Sequence, residues 1–409
     1  MRVGVVGSVP HPTAGGAWTL LENLVQALET KRSQHVFIPF RETGSNDKAN
    51  AVSRESNAFT DLKQHFRKKV RATRFGDLVA KGIRLIRPRK DFGNLWFAQM
   101  HSWIREHGIE VVWFLGQEGV SVPVPYISTV WDLAHRSKPY FPEVSVAGWD
   151  WVGREQTFMS VLPRASFILT GTSAGKSEIV HYYRVNPDNV IVVPFPAPSF
   201  ASEDHNGFPN VCEKYGIRGD FLFYPAQFWP HKNHVNILIA LALLKREKGI
   251  PIEMVFTGSD KGNAQHVIEK TAELGLQDQV HMLGFVPRED LRALYSKAQA
   301  LTFATFFGPD NIPPLEAFAL GCPVIASRVS GAQEQLGDAA LFFEPSDPQD
   351  LASAILTLLH DRQIRERMVR KGNEIAKMRT PQSYVDQVCS ILDNFASVRR
   401  CWGRDYKHT

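Results

Sequence analysis

Short apolar runs rich in β-branched and aromatic residues recur along the 409-residue chain, with helix-period segments between them. Residues 3–7, 111–115, 127–131, 167–170 and 190–194 read as strands buried on both faces, as do 221–225, 253–257, 300–304 and 324–326. Helical spacing of apolar residues appears at 17–29, 234–248, 289–297 and 350–360. A parallel neighbour is reached only through a crossover, and helices in the crossovers then cover the sheet, so this alternation implies parallel sheets. The pattern occurs twice, before about residue 194 and after about 216, and the stretch between is rich in Pro, Ser, Asn and Asp. The expected organisation is a first domain at 1–195, a second at 216–380, and a C-terminal helix and tail at 381–409 that pack back on the first. A polar, basic insertion occupies about 41–90.

A hydrophobic content of 44% and a charged content of 22% are ordinary for a soluble protein. The N-terminal MRVGVVGSV reads as a first strand rather than a signal peptide, and no apolar run approaches the ~18 residues of a membrane span. The expectation is a cytoplasmic protein. The four cysteines, Cys212, Cys322, Cys389 and Cys401, have neither disulfide nor zinc spacing. From Lys63 to Lys90 basic residues are opposed only by Asp77 and are interleaved with apolar ones. Such a stretch fits an anionic membrane surface, on the inner face, or a phosphate-bearing acceptor. No nucleic-acid module is recognisable.

In open α/β sheets ligands bind beyond the C-terminal ends of the strands, so the chemistry is sought in the loops there. The loop after the first strand ends in Gly15-Gly16 before a helix, which permits close backbone approach to an anion but lacks the dinucleotide fingerprint. Residues 171–177, GTSAGKS, have one residue too few between the glycines for an ATP-binding loop and read as a helix start capped near Thr172 or Ser173. The loop 225–234, PAQFWPHKNH, puts Lys232 at a helix N-terminus, unfavourable for the dipole unless an anion binds there too. Residues 307–324 turn through Gly and Pro into an apolar helix that carries Glu316 in its first turns. Backbone N–H groups there can hold phosphate oxygens, and one carboxylate can accept two hydrogen bonds from a ribose diol.

Taken together, the segments at 224–233, 283–286, 291–300 and 307–331 resemble the retaining glycosyltransferases of family 4, and 131–143 and 170–194 resemble them more loosely. The resemblance implies a GT-B fold: α/β, two facing Rossmann-like domains with parallel sheets and an interdomain cleft. The first would bind the acceptor and the second a nucleotide-diphosphate sugar. It implies that Glu316 binds the ribose and that Lys232 stabilises the diphosphate leaving group. Gly284, Phe285 and Val286 would line the nucleobase, and Asn311, Ile312 and Pro313 would face the diphosphate and sugar. Gly15 and Gly16 would close on the donor, with Asp132 and His135 near the transferred sugar. No metal or other cofactor is implied.

Three positions depart from the family pattern. Gly308 stands where a sugar-holding glutamate is usual, and Asp310 or Asn311 is the expected substitute. Gln227 replaces the arginine that usually partners the lysine, leaving His231 and His234 as helpers. Trp131-Asp132 replaces a His-Asp pair, and His135 is expected to supply the imidazole. The reading is transfer of a hexose, GDP-mannose being favoured over UDP- or dTDP-sugars, to a glycan or lipid-linked oligosaccharide in polysaccharide assembly. A non-catalytic GT-B subunit and a sugar-nucleotide epimerase are the alternatives.

Overall fold

The computed structural model describes residues 1–7, 15–40, 90–117, 119–144, 151–201 and 209–403. The basic insertion, apart from Lys90, and the loop 8–14 lie outside the described residues. Among the described residues, twelve strands form two six-stranded sheets. The first comprises β1 (Arg2–Val6), β2 (Val36–Pro39), β3 (Val111–Phe114), β4 (Tyr126–Thr129), β5 (Phe167–Thr170) and β6 (Val190–Val192), in the order β2-β1-β3-β4-β5-β6. The second comprises β7 (Phe221–Pro225), β8 (Glu253–Thr257), β9 (Val280–Met282), β10 (Ala300–Phe303), β11 (Val324–Ser327) and β12 (Ala340–Phe343), in the order β12-β11-β10-β7-β8-β9. Every pairing is parallel. The central strands β3, β7 and β10 are almost wholly buried, because crossover helices cover both faces.

The strand order places a switch point in each sheet. The chain leaves β1 for β2 on one side and returns to β3 on the other. In the second sheet it leaves β7 toward β8 and returns to β10. Loops from neighbouring strands diverge at such a point and leave a crevice. The loops after β7 and β10 are those that carry Lys232 and Asn311. The helix Pro381–Arg399 crosses back to the first domain. There Lys31 pairs with Asp386, His35 Nε2 lies 2.7 Å from Asp393, and Tyr384 stacks on Trp113 with ring centres 6.5 Å apart.

The helix Ile312–Ala319, which carries Glu316, is backed by the helix Arg362–Met378. The two approach closely at Gly372, where a Cβ would lie 2.5 Å from the Phe318 ring. Gly372→Ala is expected to destabilise the second domain by about 1–3 kcal/mol through overpacking. Chemical denaturation checks this; an unchanged midpoint would show that the contact yields freely.

Candidate functional site

Lys232 ends the short 3-10 turn Pro230–Lys232 after β7. Its carbonyl accepts the Tyr224 hydroxyl at 3.0 Å. The next residue, Asn233, takes φ 61° and donates through Nδ2 to Ala304 O and Pro345 O at 3.0 and 2.7 Å. The helix His234–Lys248 starts there, so the ammonium sits at the positive end of its dipole. Among the described residues no carboxylate lies within ion-pair distance of Lys232 Nζ, which faces the Phe303 ring at 5.5 Å. Burial draws the Lys232 pKa down to about 8, against the pull of Asp132 and Glu143. A half-buried cation without a paired anion is strongly biased toward binding one.

Glu316 lies in the first turns of the helix Ile312–Ala319, is 6% exposed and accepts the Tyr295 hydroxyl at 2.7 Å. Burial raises its pKa to about 7, against the effects of Tyr295 and Arg288. Arg288 is gripped by the first domain: it pairs with Glu22 at 2.6 Å and lies over the rings of Trp18 and Phe200 at 4.6 and 5.1 Å. Phe285 is 60% exposed between Gly284 and the buried Val286, leaving an aromatic face accessible in the loop after β9.

Gly308 takes φ 124°, and a Cβ there would lie 2.6 Å from Asn311 Oδ1. The turn is therefore built around a residue without a side chain, and a glutamate does not fit it. Asn311 Nδ2 donates to Gly308 O at 2.7 Å, folding that side chain onto the turn, while Asn311 N–H donates to Gln335 at 3.1 Å. Asp310 is spent at the domain interface instead of facing a sugar. It accepts Phe195 N–H at 3.2 Å and the Gln335 amide, and it fills the space above Gly171. Burial pushes its pKa up to about 7. Ile312 packs against Gly16, with 3.5 Å between Ile312 Cγ1 and the Cβ that a residue at 16 would carry. Pro313 O accepts the Tyr295 hydroxyl at 3.3 Å, and Gly15 caps the helix Gly16–Thr30. Gln227 accepts Trp229 Nε1–H at 3.0 Å, shaping the turn ahead of Lys232.

On the facing domain, Asp132 is held by Arg154 at 3.0 Å, Gln117 at 3.1 Å and the Ala134 N–H at 3.0 Å. Burial raises its carboxyl, but these partners outweigh it and hold the pKa below the usual range. It remains an anion whose field reaches Lys232. His135 is placed differently from the expectation. It is fully buried between Trp151 and Phe158, and its Nε2 lies 3.2 Å from both Glu155 and Tyr183. Burial and Arg154 lower its pKa to about 4, so it is a neutral core imidazole rather than a group facing the cleft. The geometric reason is its seat in the short helix Ala134–Ser137, which turns the ring inward. His234 is likewise wholly buried, stacked on Phe228 at 4.6 Å.

The residues missed by sequence reasoning are those that join the domains. Glu334 caps the N-terminus of the helix Ser173–Tyr183 across the cleft, accepting Ser173 N–H at 2.6 Å and Ala174 N–H at 3.3 Å. Glu143 binds His231, and Glu22 binds Arg288. No local signal marks these partners.

Two parallel-sheet domains closed over such a cleft define the GT-B fold, and comparison with known proteins agrees. Residues 213–375 match the family model "Glycosyl transferases group 1". The chain is 28% identical over 226 residues to the O-antigen chain mannosyltransferase B of Escherichia coli, covering 54% of this chain and 59% of that protein. It is 25% identical over 289 residues to an MMP alpha-(1->4)-mannosyltransferase of Mycolicibacterium hassiacum, covering 68% of this chain and 67% of that one. The chain thus spans between half and two thirds of the length of these relatives. The fold of Anabaena Alr3699/HepE, solved in complex with UDP, superposes with a TM-score of 0.68 at 16% identity, over 96% of this chain and 99% of that one.

Glu316→Gln isolates one electrostatic effect. A carboxyl raised to about 7 is protonated in the folded state below that pH, and its stabilising contribution is lost as pH rises through 7. His135, His231 and His234, all depressed, act in the opposite sense below pH 6.5, so the variant is compared with the parent at each pH. Relative to the parent, the variant should gain up to roughly 3 kcal/mol between pH 5 and 9. Denaturant titrations across that range check this, and a constant difference would contradict it.

Proposed function

We propose that the chain is a retaining glycosyltransferase that moves a hexose from a nucleotide-diphosphate sugar to a hydroxyl of a glycan or lipid-linked oligosaccharide. The observation that carries this reading is Lys232, a cation without an ion-pair partner among the described residues, set at a switch point beside a helix N-terminus. A diphosphate supplies the missing charge. As the glycosidic bond to the β-phosphate breaks, negative charge grows on the departing oxygen. Lys232 stabilises it, fixed in advance in a cleft that closure shields from water, and at the start of the helix Ile312–Ala319 the Ile312 N–H alone can add to it, since residues 313 and 314 are prolines and the Asn311 N–H goes to Gln335. Glu316 accepts the ribose hydroxyls, and Phe285 offers a face to the nucleobase. Asp132 faces the transferred sugar from the first domain. The chain's own groups suffice for the charge development, and the reaction proceeds without a metal ion.

GDP-mannose is the favoured donor, supported by the mannosyltransferases among the relatives; the UDP complex of the Anabaena protein keeps UDP-sugars as the second choice. Gly308 leaves the donor-sugar hydroxyls without the usual carboxylate, and recognition of the sugar falls to other groups of the closed cleft. The same glycine favours a second reading, a non-catalytic subunit of this fold. No described helix is long and apolar enough to cross a membrane. The basic segment 63–90 supports a peripheral position on an anionic membrane surface, close to a lipid-linked acceptor.

Lys232→Ala should lower turnover ~10²-fold or more, as loss of a charge-stabilising group does. Glu316→Ala should chiefly weaken nucleotide diphosphate binding with the fold intact. Calorimetry with GDP and UDP, together with steady-state transfer assays, measures both. Parent-like kinetics in Lys232→Ala would remove the basis of the mechanism, and inactivity of the purified parent chain with every donor would favour the non-catalytic reading.

A further inference from the structure

One carboxylate of the first domain reaches across the cleft into the turn that carries Lys232. Glu143 is fully buried, and its Oε1 accepts both the backbone N–H of His231 at 2.9 Å and the ring Nδ1–H at 2.5 Å. The His231 ring stacks on Phe307 at 4.1 Å with an interplanar angle of 15°. The His231 carbonyl accepts Phe306 N–H at 2.9 Å. The turn Pro230–Lys232 is therefore gripped twice, by its own domain through Phe306 and Phe307 and by the opposite domain through Glu143. Phe141 packs on Phe306 and Phe307, with ring centres 5.5 and 5.6 Å away, so the segment bearing Glu143 is docked against the same loop.

Glu143 Oε2 is buried with no hydrogen-bond partner among the described residues. A buried, half-satisfied carboxylate costs stability relative to an apolar side chain of similar size. Buried polar groups that a fold would be steadier without are expected where function requires them.

We propose that Glu143 is a positioning residue for transfer: by holding His231 from the opposite domain, it couples domain closure to the placement of the adjacent Lys232. The inference rests on Lys232 being the group that meets the diphosphate. With the domains apart, the second domain still shapes the turn through Phe306, Phe307 and Asn233, so nucleotide binding survives without Glu143. With the domains together, Glu143 fixes the last freedom of the turn, and the loss falls on the chemical step.

The test uses the full chain with Glu143→Gln, Glu143→Met, Glu143→Ala and Lys232→Ala. Thermal unfolding establishes that each variant is folded, and GDP and UDP affinity is compared between the parent and the Glu143 variants. Glu143→Met keeps the volume but removes the acceptor, and its kcat should fall ~10-fold or more, since small misplacements of a reacting group have effects of that order. Its nucleotide affinity should stay within about threefold. Glu143→Gln keeps an oxygen for both His231 donors and should restore most of the rate. If Glu143→Ala does not fold, the two volume-conserving variants carry the comparison. Turnover within about twofold of the parent in Glu143→Met, beside a collapsed Lys232→Ala, would overturn the positioning role and leave the site reading intact. Parent-like turnover in Lys232→Ala would mean that the site reading itself fails.

Discussion

An all-parallel sheet cannot return on itself by a tight turn, so every strand must be followed by a covering crossover. That constraint puts all strand C-termini of a sheet on one edge, and the reversal of strand order opens a crevice there. The chain meets the constraint twice, with switch points between β1 and β3 and between β7 and β10. The loops holding Lys232 and Asn311 follow β7 and β10, and the helix that starts at Gly16 packs against Ile312 from the facing domain. The location of the site follows from topology before any side chain is considered.

What the cleft holds is a set of charges that the protein leaves partly unmatched. Lys232 is half-buried with no ion-pair partner among the described residues, and burial lowers its pKa to about 8. Glu316 is buried with one hydroxyl donor, which raises its pKa to about 7. Each is strained in the sense a ligand would relieve: a cation awaiting an anion, and an acceptor awaiting hydroxyl donors. Other carboxylates do a different job. Asp310, Glu22 and Glu334 bridge the domains through backbone N–H groups or an arginine, and so hold the cleft closed around the unmatched groups.

Nine of the twelve described strands were legible because strands buried on both faces read as continuous apolar runs, whereas the partly exposed edge strands β2, β9 and β12 were not; Lys232 and Glu316 were legible because each stands at a strand-to-helix turn. The cross-domain partners were not. His231 and Glu143 are 88 positions apart, Ser173 and Glu334 161, and Arg288 and Glu22 266, and nothing local shows which residue each would meet. His135 illustrates a subtler limit. Asp132, three positions earlier, lies near enough for its charge to act on Lys232, but one turn of helix rotates the imidazole into the core among Trp151, Phe158 and Glu155. Gly308 illustrates the reverse. The missing carboxylate was visible in the sequence, but only the φ of 124° and the folded Asn311 show that the turn has no room for one.

The purified chain alone is expected to move a sugar from a nucleotide-diphosphate donor with retention. Following GDP-mannose and UDP- and dTDP-hexoses with mannoside acceptors by phosphorus and proton NMR tests it most directly. The expected result is acceptor-dependent release of the nucleoside diphosphate from one donor class, and a new glycoside with the anomeric configuration of that donor. An inverted product, or no release from any donor by a chain that nonetheless binds nucleotide, would contradict it.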